Sequence, residues 1–379
     1  MTDKIESKQR TVKLSDVARA ANVSVATVSR MMSGRSGVAP QMRERIARAA
    51  VGLGFDLKKG KRSRVISFLL SNRTVLHPFH SAVLMGAESY CAAYDYGLLF
   101  QPFRYSIKSP SEELRLPETV MRRQLISGVI VAGTNSPNLL ESLTHERIPW
   151  VVLGNSVLNS WQLPQPNSVH FDDVGGSYEA VKYLLSLGHR KIAFVGNNQF
   201  PWFWRRAEGY KRAMKEACLD FRISEVSSEE DEEMGYFATK LILSQSDSIT
   251  AIFAGDDAAA RGAYKAAKDS GLSIPDDVSI VGFSDTSEAS ALYPPLTSIR
   301  VFPEQIGKQL AEQLLKRIAR PDLSLEATVL PTQLVKRESC SLLLPNRPSI
   351  STERSRITIS SNCYSLEHES EVFQAKCDL

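Results

Sequence analysis

Nothing in these 379 residues approaches the ~18 consecutive apolar positions of a membrane-crossing helix, so no membrane span is expected. The first ten residues are polar and charged and lack the apolar centre of a secretory signal, which points to the cytoplasm. Cysteine is scarce. Cys91, Cys218, Cys340, Cys363 and Cys377 include no C-x-x-C pair, which argues against a disulfide framework or a zinc site. The P-loop, the nucleophile elbow and HExxH are all missing, so no cofactor or metal is expected and an enzyme has little to stand on. What is present is globular. Hydrophobic residues make up 43%, enough to exclude wholesale disorder, and the length suits two or three domains.

Charge is distributed unevenly. Residues 1–64 carry 15 Lys/Arg against 5 Asp/Glu, and the other 315 carry 31 against 37. A small basic head on an acidic body suits a nucleic-acid-binding module joined to a second function. A basic tail could be merely solvated, but this one has helical periodicity. Leu14, Val17, Ala18 and Ala21 are spaced for one helix, with Ser15 available as a cap. Asn22-Val23 interrupts, and Ser24 can cap a second helix that turns Val28, Met31 and Met32 inward. Pro40 suits the first turn of a third, with Ile46, Ala49, Ala50 and Leu53 as its apolar face and Gly54 at its stop. Three such helices over residues 1–55 make an all-α helix-turn-helix unit. If Val28 faces inward, Val25, Ala26, Ser29 and Arg30 face outward. Arg30 can then donate two hydrogen bonds to guanine, while Val25 and Ala26 suit thymine methyls. Thr27, Ser29, Arg43, Arg45 and Arg48 are candidates for phosphate contacts.

The stretch Leu14-Ser-Asp-Val-Ala-Arg-Ala-Ala-Asn-Val-Ser-Val-Ala-Thr-Val-Ser-Arg30 resembles the headpiece of the LacI/GalR family of bacterial transcription regulators, and the likeness continues through Val38–Ile46 and Gly52–Phe55. The resemblance implies that the helix from Val25 lies in the major groove, with Val25, Ala26 and Arg30 as the main base-reading residues. Ala39 stands where that family usually has Ser, which weakens the cap of the third helix. In the linker, residues 56–64, Lys58, Lys59 and Arg62 are expected on DNA phosphates. The family's longer Ala/Leu-rich hinge helix is absent, so insertion of a leucine into the minor groove is not expected.

From Val65 to 338, short aliphatic runs alternate with helical patterns. This implies α/β architecture: parallel sheets covered on both faces, in two lobes with a cleft between them. The expected lobes are about 65–163 with 301–329, and about 164–300 with 330–338. Residues 339–379 are polar and Ser-rich, and disorder is the default. Asp172–Gly176, Leu187–Ile192, Phe253–Asp257, Ile274–Phe283 and Tyr293–Thr297 are similar to signatures of the same family's effector domain. That resemblance implies a periplasmic-binding-protein-like body, a homodimer, a double-stranded DNA operator and a sugar-like effector. It also implies repression as the usual output, in the cytoplasm on the nucleoid.

Ligands of such sheets sit beyond the carboxyl ends of the strands. That rule selects Phe79, His80 and Asn135 in the first lobe and Asp172, Asp256, Asp257 and Asp285 in the second. It also selects Trp204, Arg205 and Arg206, in one loop after Val195. Aromatic faces on sugar CH groups, with carboxylates and guanidinium on hydroxyls, suit a polar, uncharged ligand. Each aromatic can equally be core, and each carboxylate a helix cap. The family often places a ligand-binding Arg where Trp204 aligns. Asp257 is the strongest single candidate. Two other classes compete: a glycosidase with Asp257 and Asp285 as its carboxylate pair, and a transport-type sugar-binding protein. Neither explains the basic head.

Overall fold

The computed structural model describes residues 12–32, 38–55, 63–73, 78–158, 165–224, 226, 228, 230–245, 249–320 and 323–343. The head is three helices, α1 (Leu14–Ala20), α2 (Val25–Met32) and α3 (Pro40–Gly52). They close around Val17, Ala18, Ala21, Val28, Val38, Ile46 and Ala50. The turn between α1 and α2 places Asn22 at φ 48°, and the Ser24 hydroxyl accepts the Thr27 amide at 3.1 Å, as a cap should. Ser15 is not the cap of α1. Lys13 holds that position, and its amide donates to Asp16 at 2.9 Å. Leu53 lies just past the end of α3 and is exposed rather than buried.

Ala39 caps α3 with no side-chain hydrogen bond. Ala39→Ser supplies the missing acceptor and is expected to stabilise the head by about 0.5–2 kcal/mol. A denaturant melt of the head that moves to lower concentration would contradict this.

The body consists of two six-stranded sheets. The first has the order β11-β5-β4-β3-β1-β2, from β1 (Val65–Ser71), β2 (Gly97–Phe103), β3 (Val129–Gly133), β4 (Trp150–Leu153), β5 (Ser168–Phe171) and β11 (Thr328–Leu330). The second has the order β12-β10-β9-β8-β6-β7, from β6 (Ile192–Val195), β7 (Ile223–Ser224), β8 (Ala251–Ala254), β9 (Ser279–Ser284), β10 (Thr297–Arg300) and β12 (Gln333–Val335). All pairings are parallel except β12 on β10. Helices α4 (Pro78–Ala93), α5 (Glu118–Met121), α6 (Pro137–His145) and α12 (Pro303–Ala319) belong to the first lobe. Helices α7 (Asp173–Ser186), α8 (Pro201–Glu216), α9 (Asp231–Ser244), α10 (Asp257–Asp269) and α11 (Ser287–Ala291) belong to the second. Central strands such as β3, β6 and β8 are buried along their whole length, which is why they read as unbroken aliphatic runs. Helices α4 and α12 meet at two glycines. A Cβ on Gly86 would lie 2.0 Å from the Glu304 carbonyl oxygen, and one on Gly307 would lie 1.9 Å from that of Val83.

Two expected boundaries move. The first lobe does not end near 163, because β5 pairs with β4 and β11, so the chain first crosses between lobes at Asp172. Nor does the fold end at 338. The Ser339 carbonyl accepts the Ile280 amide at 2.9 Å, and the Leu343 amide donates to Leu187 at 2.8 Å. The rest of the expected tail, 344–379, lies outside the described residues.

Candidate functional site

On the head, Val28 is buried while Val25, Ala26, Ser29 and Arg30 form the exposed face of α2. Thr27 is half-buried against Ser24, with their hydroxyls 2.8 Å apart. An apolar-plus-guanidinium face of this kind, on the second helix after a tight turn, has the geometry for base edges in a major groove. Arg43 donates to the Val38 carbonyl at 3.0 Å and Arg45 to that of Asn22 at 3.3 Å, so both also brace the head. Lys58, Lys59 and Arg62 lie outside the described residues.

In the body, the strand ends converge where the lobes face each other. Asp172 is a cap: one oxygen accepts the Gly175 amide at 2.7 Å and starts α7. The carboxylate that organises this crossing is its neighbour Asp173, which is fully buried. It receives Arg205 Nε at 3.0 Å, Arg206 Nε at 2.9 Å and Asn155 Nδ2 at 2.8 Å. Asn155 follows β4 in the first lobe and the two arginines sit on α8 in the second, so one carboxylate ties the lobes together. Trp204, Arg205 and Arg206 are therefore not in a loop but in the first two turns of a helix. Arg205 points inward, onto Asp173 and the Asn155 carbonyl. Arg206 borders the cleft. It donates to the Gly255 carbonyl at 2.7 Å, and its guanidinium lies 3.9 Å from the Phe283 ring centre and 5.9 Å from that of Phe171. Phe79 continues the row, 5.9 Å from Phe171. His80 is buried beside it, and Trp204 is half-buried on α8.

Three expected ligand contacts are committed to the protein instead. Asn135 is fully buried, takes the Ser71 hydroxyl and donates to the Gly133 carbonyl. The Asp257 oxygens accept the Ser298 hydroxyl at 2.6 Å and the Thr286 amide at 2.7 Å, joining α10 to β10 and to the start of α11. Burial pushes its carboxyl up to about 7, against those two hydrogen bonds. Asp285 is ion-paired to Arg300 at 2.6 Å and Arg337 at 2.7 Å. The glycosidase pairing of Asp257 with Asp285 therefore fails, because both carboxylates are saturated by internal donors.

Asp256 does face the cleft. It caps α10 through the Ala259 amide at 2.7 Å, and its carboxyl also hydrogen-bonds Asp231. Burial, and then the charge of Asp256, hold Asp231 far above the usual carboxylate range, while Arg73 and Arg206 pull it back. Arg73 follows β1. It donates to the Thr134 hydroxyl at 3.2 Å and lies over the Trp202 ring, 5.4 Å from its centre. Phe171, Asp173, Asp231 and Phe283 escaped the sequence reading. Asp231 sits in the acidic run Ser228–Glu233, which looks like solvated surface, and nothing in the pattern separates Asp173 from Asp172.

A helix-turn-helix head ahead of a two-lobed, cleft-bearing body defines a ligand-binding DNA regulator. Residues 13–56 match the model of bacterial regulatory proteins, lacI family, and 181–340 match a periplasmic binding protein-like domain. The ribose operon repressor of Haemophilus influenzae is 31% identical over 336 residues, covering 86% of this chain and 98% of that one. Catabolite control protein A of Priestia megaterium is 29% identical over 337 residues, covering 86% and 99%. The lac repressor dimer bound to operator and the anti-inducer ONPF superposes with a TM-score of 0.65 at 25% identity, covering 88% and 100%. A CelR–cellobiose complex gives 0.63 at 26%, covering 87% and 100%. The chain belongs to the LacI family of bacterial transcriptional regulators. No helix among the described residues is long and apolar enough to cross a membrane.

Proposed function

We propose that this regulator binds a pseudo-palindromic operator as a homodimer, in the cytoplasm on the nucleoid, and represses carbohydrate-related genes. A small polar effector, a sugar, sits between the lobes and sets the DNA affinity. The observation that carries this reading is the row Phe79–Phe171–Phe283 with Arg206 stacked on it, which spans both lobes and ends at the Asp231–Asp256 pair. Aromatic faces beside a guanidinium and carboxyls suit a hydroxylated ring. Relatives bound to cellobiose and ribose support a sugar. A ligand that favours one lobe angle changes the spacing of two heads on a two-fold site. A coupling of about 1–3 kcal/mol then gives a ~5–150-fold change in operator affinity.

Arg30 tests the DNA half of this reading. Arg30→Ala is expected to cost about 1–3 kcal/mol on operator DNA and to relax selectivity at one position per half-site. Lys59→Ala or Arg62→Ala should instead weaken all sequences alike and reduce the salt slope by about one unit each. Competition gel shifts distinguish these patterns, and equal losses on operator and random DNA for Arg30→Ala would remove it from base reading.

A further inference from the structure

The corner of the cleft beneath Arg73 has a chemistry of its own. Its floor is the Trp202 indole, stacked on Phe200 at 4.7 Å between ring centres. Its wall is the Asp231–Asp256 pair, set at the first turns of α9 and α10. The guanidinium lying over that indole comes from the other lobe, since Arg73 follows β1 and is braced by Thr134. Arg206, the other cation near the pair, is already bound to Asp173 and the Gly255 carbonyl. An aromatic face with carboxyls at its edge attracts a cation that can donate hydrogen bonds, and disfavours an anion.

We propose that the Trp202–Asp231–Asp256 corner is an effector subsite for a cationic, hydrogen-bond-donating group, an ammonium or guanidinium, and that Arg73 of the first lobe is the group such an effector displaces. This rests on the reading of the cleft as the effector site and narrows the ligand to a hydroxylated molecule bearing an amine. Anionic sugars, including sugar phosphates, are disfavoured by the same carboxyls. The pair's chemistry agrees, because Asp231 retains a proton far above the usual carboxylate range and a bound cation would release it. Binding therefore strengthens as pH rises. The charged groups acting on Asp231 are Asp256, Arg73 and Arg206.

The test needs no natural ligand. In full-length protein, Arg73→Ala vacates the corner, and methylguanidinium chloride at millimolar concentration serves as the probe, with sodium chloride at equal ionic strength as the control. The variant is expected to gain about 2–4 °C in thermal midpoint with the probe, more at higher pH, while the wild type gains nothing beyond the salt control. Adding Trp202→Leu or Asp231→Asn should abolish the gain. Circular dichroism of each variant in the absence of probe establishes that it is folded. An equal response in wild type and Arg73→Ala, or a gain that survives Asp231→Asn, overturns the subsite. A stabilisation by inorganic phosphate in place of methylguanidinium overturns the ligand class. None of these outcomes bears on DNA binding by the head, so the subsite can fail while the regulator reading stands.

Discussion

Asp173→Ala is expected to destabilise the body by about 3–5 kcal/mol, the largest loss of any single substitution in this protein. The carboxylate is fully buried and is the shared partner of two arginines, Arg205 at 3.0 Å and Arg206 at 2.9 Å. Removing it leaves two buried guanidinium groups without a counter-charge, a worse outcome than never having built the pair. The loss spreads across the lobes, because Asn155 of the first lobe also donates to Asp173. Asp173→Asn separates charge from shape. It keeps one acceptor oxygen at nearly the same volume, so its loss should fall between wild type and Ala. Denaturant melts of the three proteins at one pH measure this. A cost for Asp173→Ala below about 1 kcal/mol, the range of an ordinary exposed ion pair, would show that the triad does not hold the lobes.

The head was almost fully legible in the sequence, and the cleft only by location. The reason lies in how far each depends on contacts distant in the chain. In the head, Ser24 caps α2 three residues ahead of Thr27, and the exposure of Val25, Ala26, Ser29 and Arg30 follows once Val28 is inward. All of that is local periodicity. In the body, the rule that ligands sit beyond strand ends led to the right loops, but not to the side chain within each. The reading confused two adjacent acids twice, in the same way. Asp172 and Asp256 each cap a helix that follows a strand, and Asp173 and Asp257 are the first residues within those helices. One residue of helix rotates a side chain by about 100°, enough to turn the second acid from the cap toward the interior. What the second acid then meets is set by elements far away in sequence: α8 for Asp173, and β10 and α11 for Asp257. Strand β5 was missed for a related reason. Ser168-Val-His-Phe171 alternates polar and apolar, although all four residues are buried between β4 and β11.

Asp257→Asn is expected to flatten the pH dependence of stability that wild type shows between about pH 4 and 7. Burial raises the Asp257 carboxyl to about 7 in the folded chain, from an ordinary value of 3.8. For an acid raised on folding, the folded state holds its proton more tightly than the unfolded state does. Stability is then fully present below pH 4, falls as pH climbs through the window, and is level again above 7. A shift of this size corresponds to a few kcal/mol, about 2–4 across the window. Asparagine carries no charge at any pH and keeps an acceptor for the Thr286 amide, while the Ser298 hydroxyl can turn to accept from its amide group. Near pH 8 the Asn variant should therefore equal or exceed wild type, and at pH 5 the two should converge. Asp257→Ala behaves differently. It strands the Thr286 amide and the Ser298 hydroxyl, and should cost about 1–3 kcal/mol for each group left unpaired, relative to Asn at every pH. Asp231, shifted in the same direction, supplies the slope that remains in the variants. Urea midpoints at pH 5, 6, 7 and 8 for the three proteins decide the matter. If wild type and Asp257→Asn run parallel across that range, Asp257 is not titrating in the folded chain, and its carboxyl is charged despite its burial.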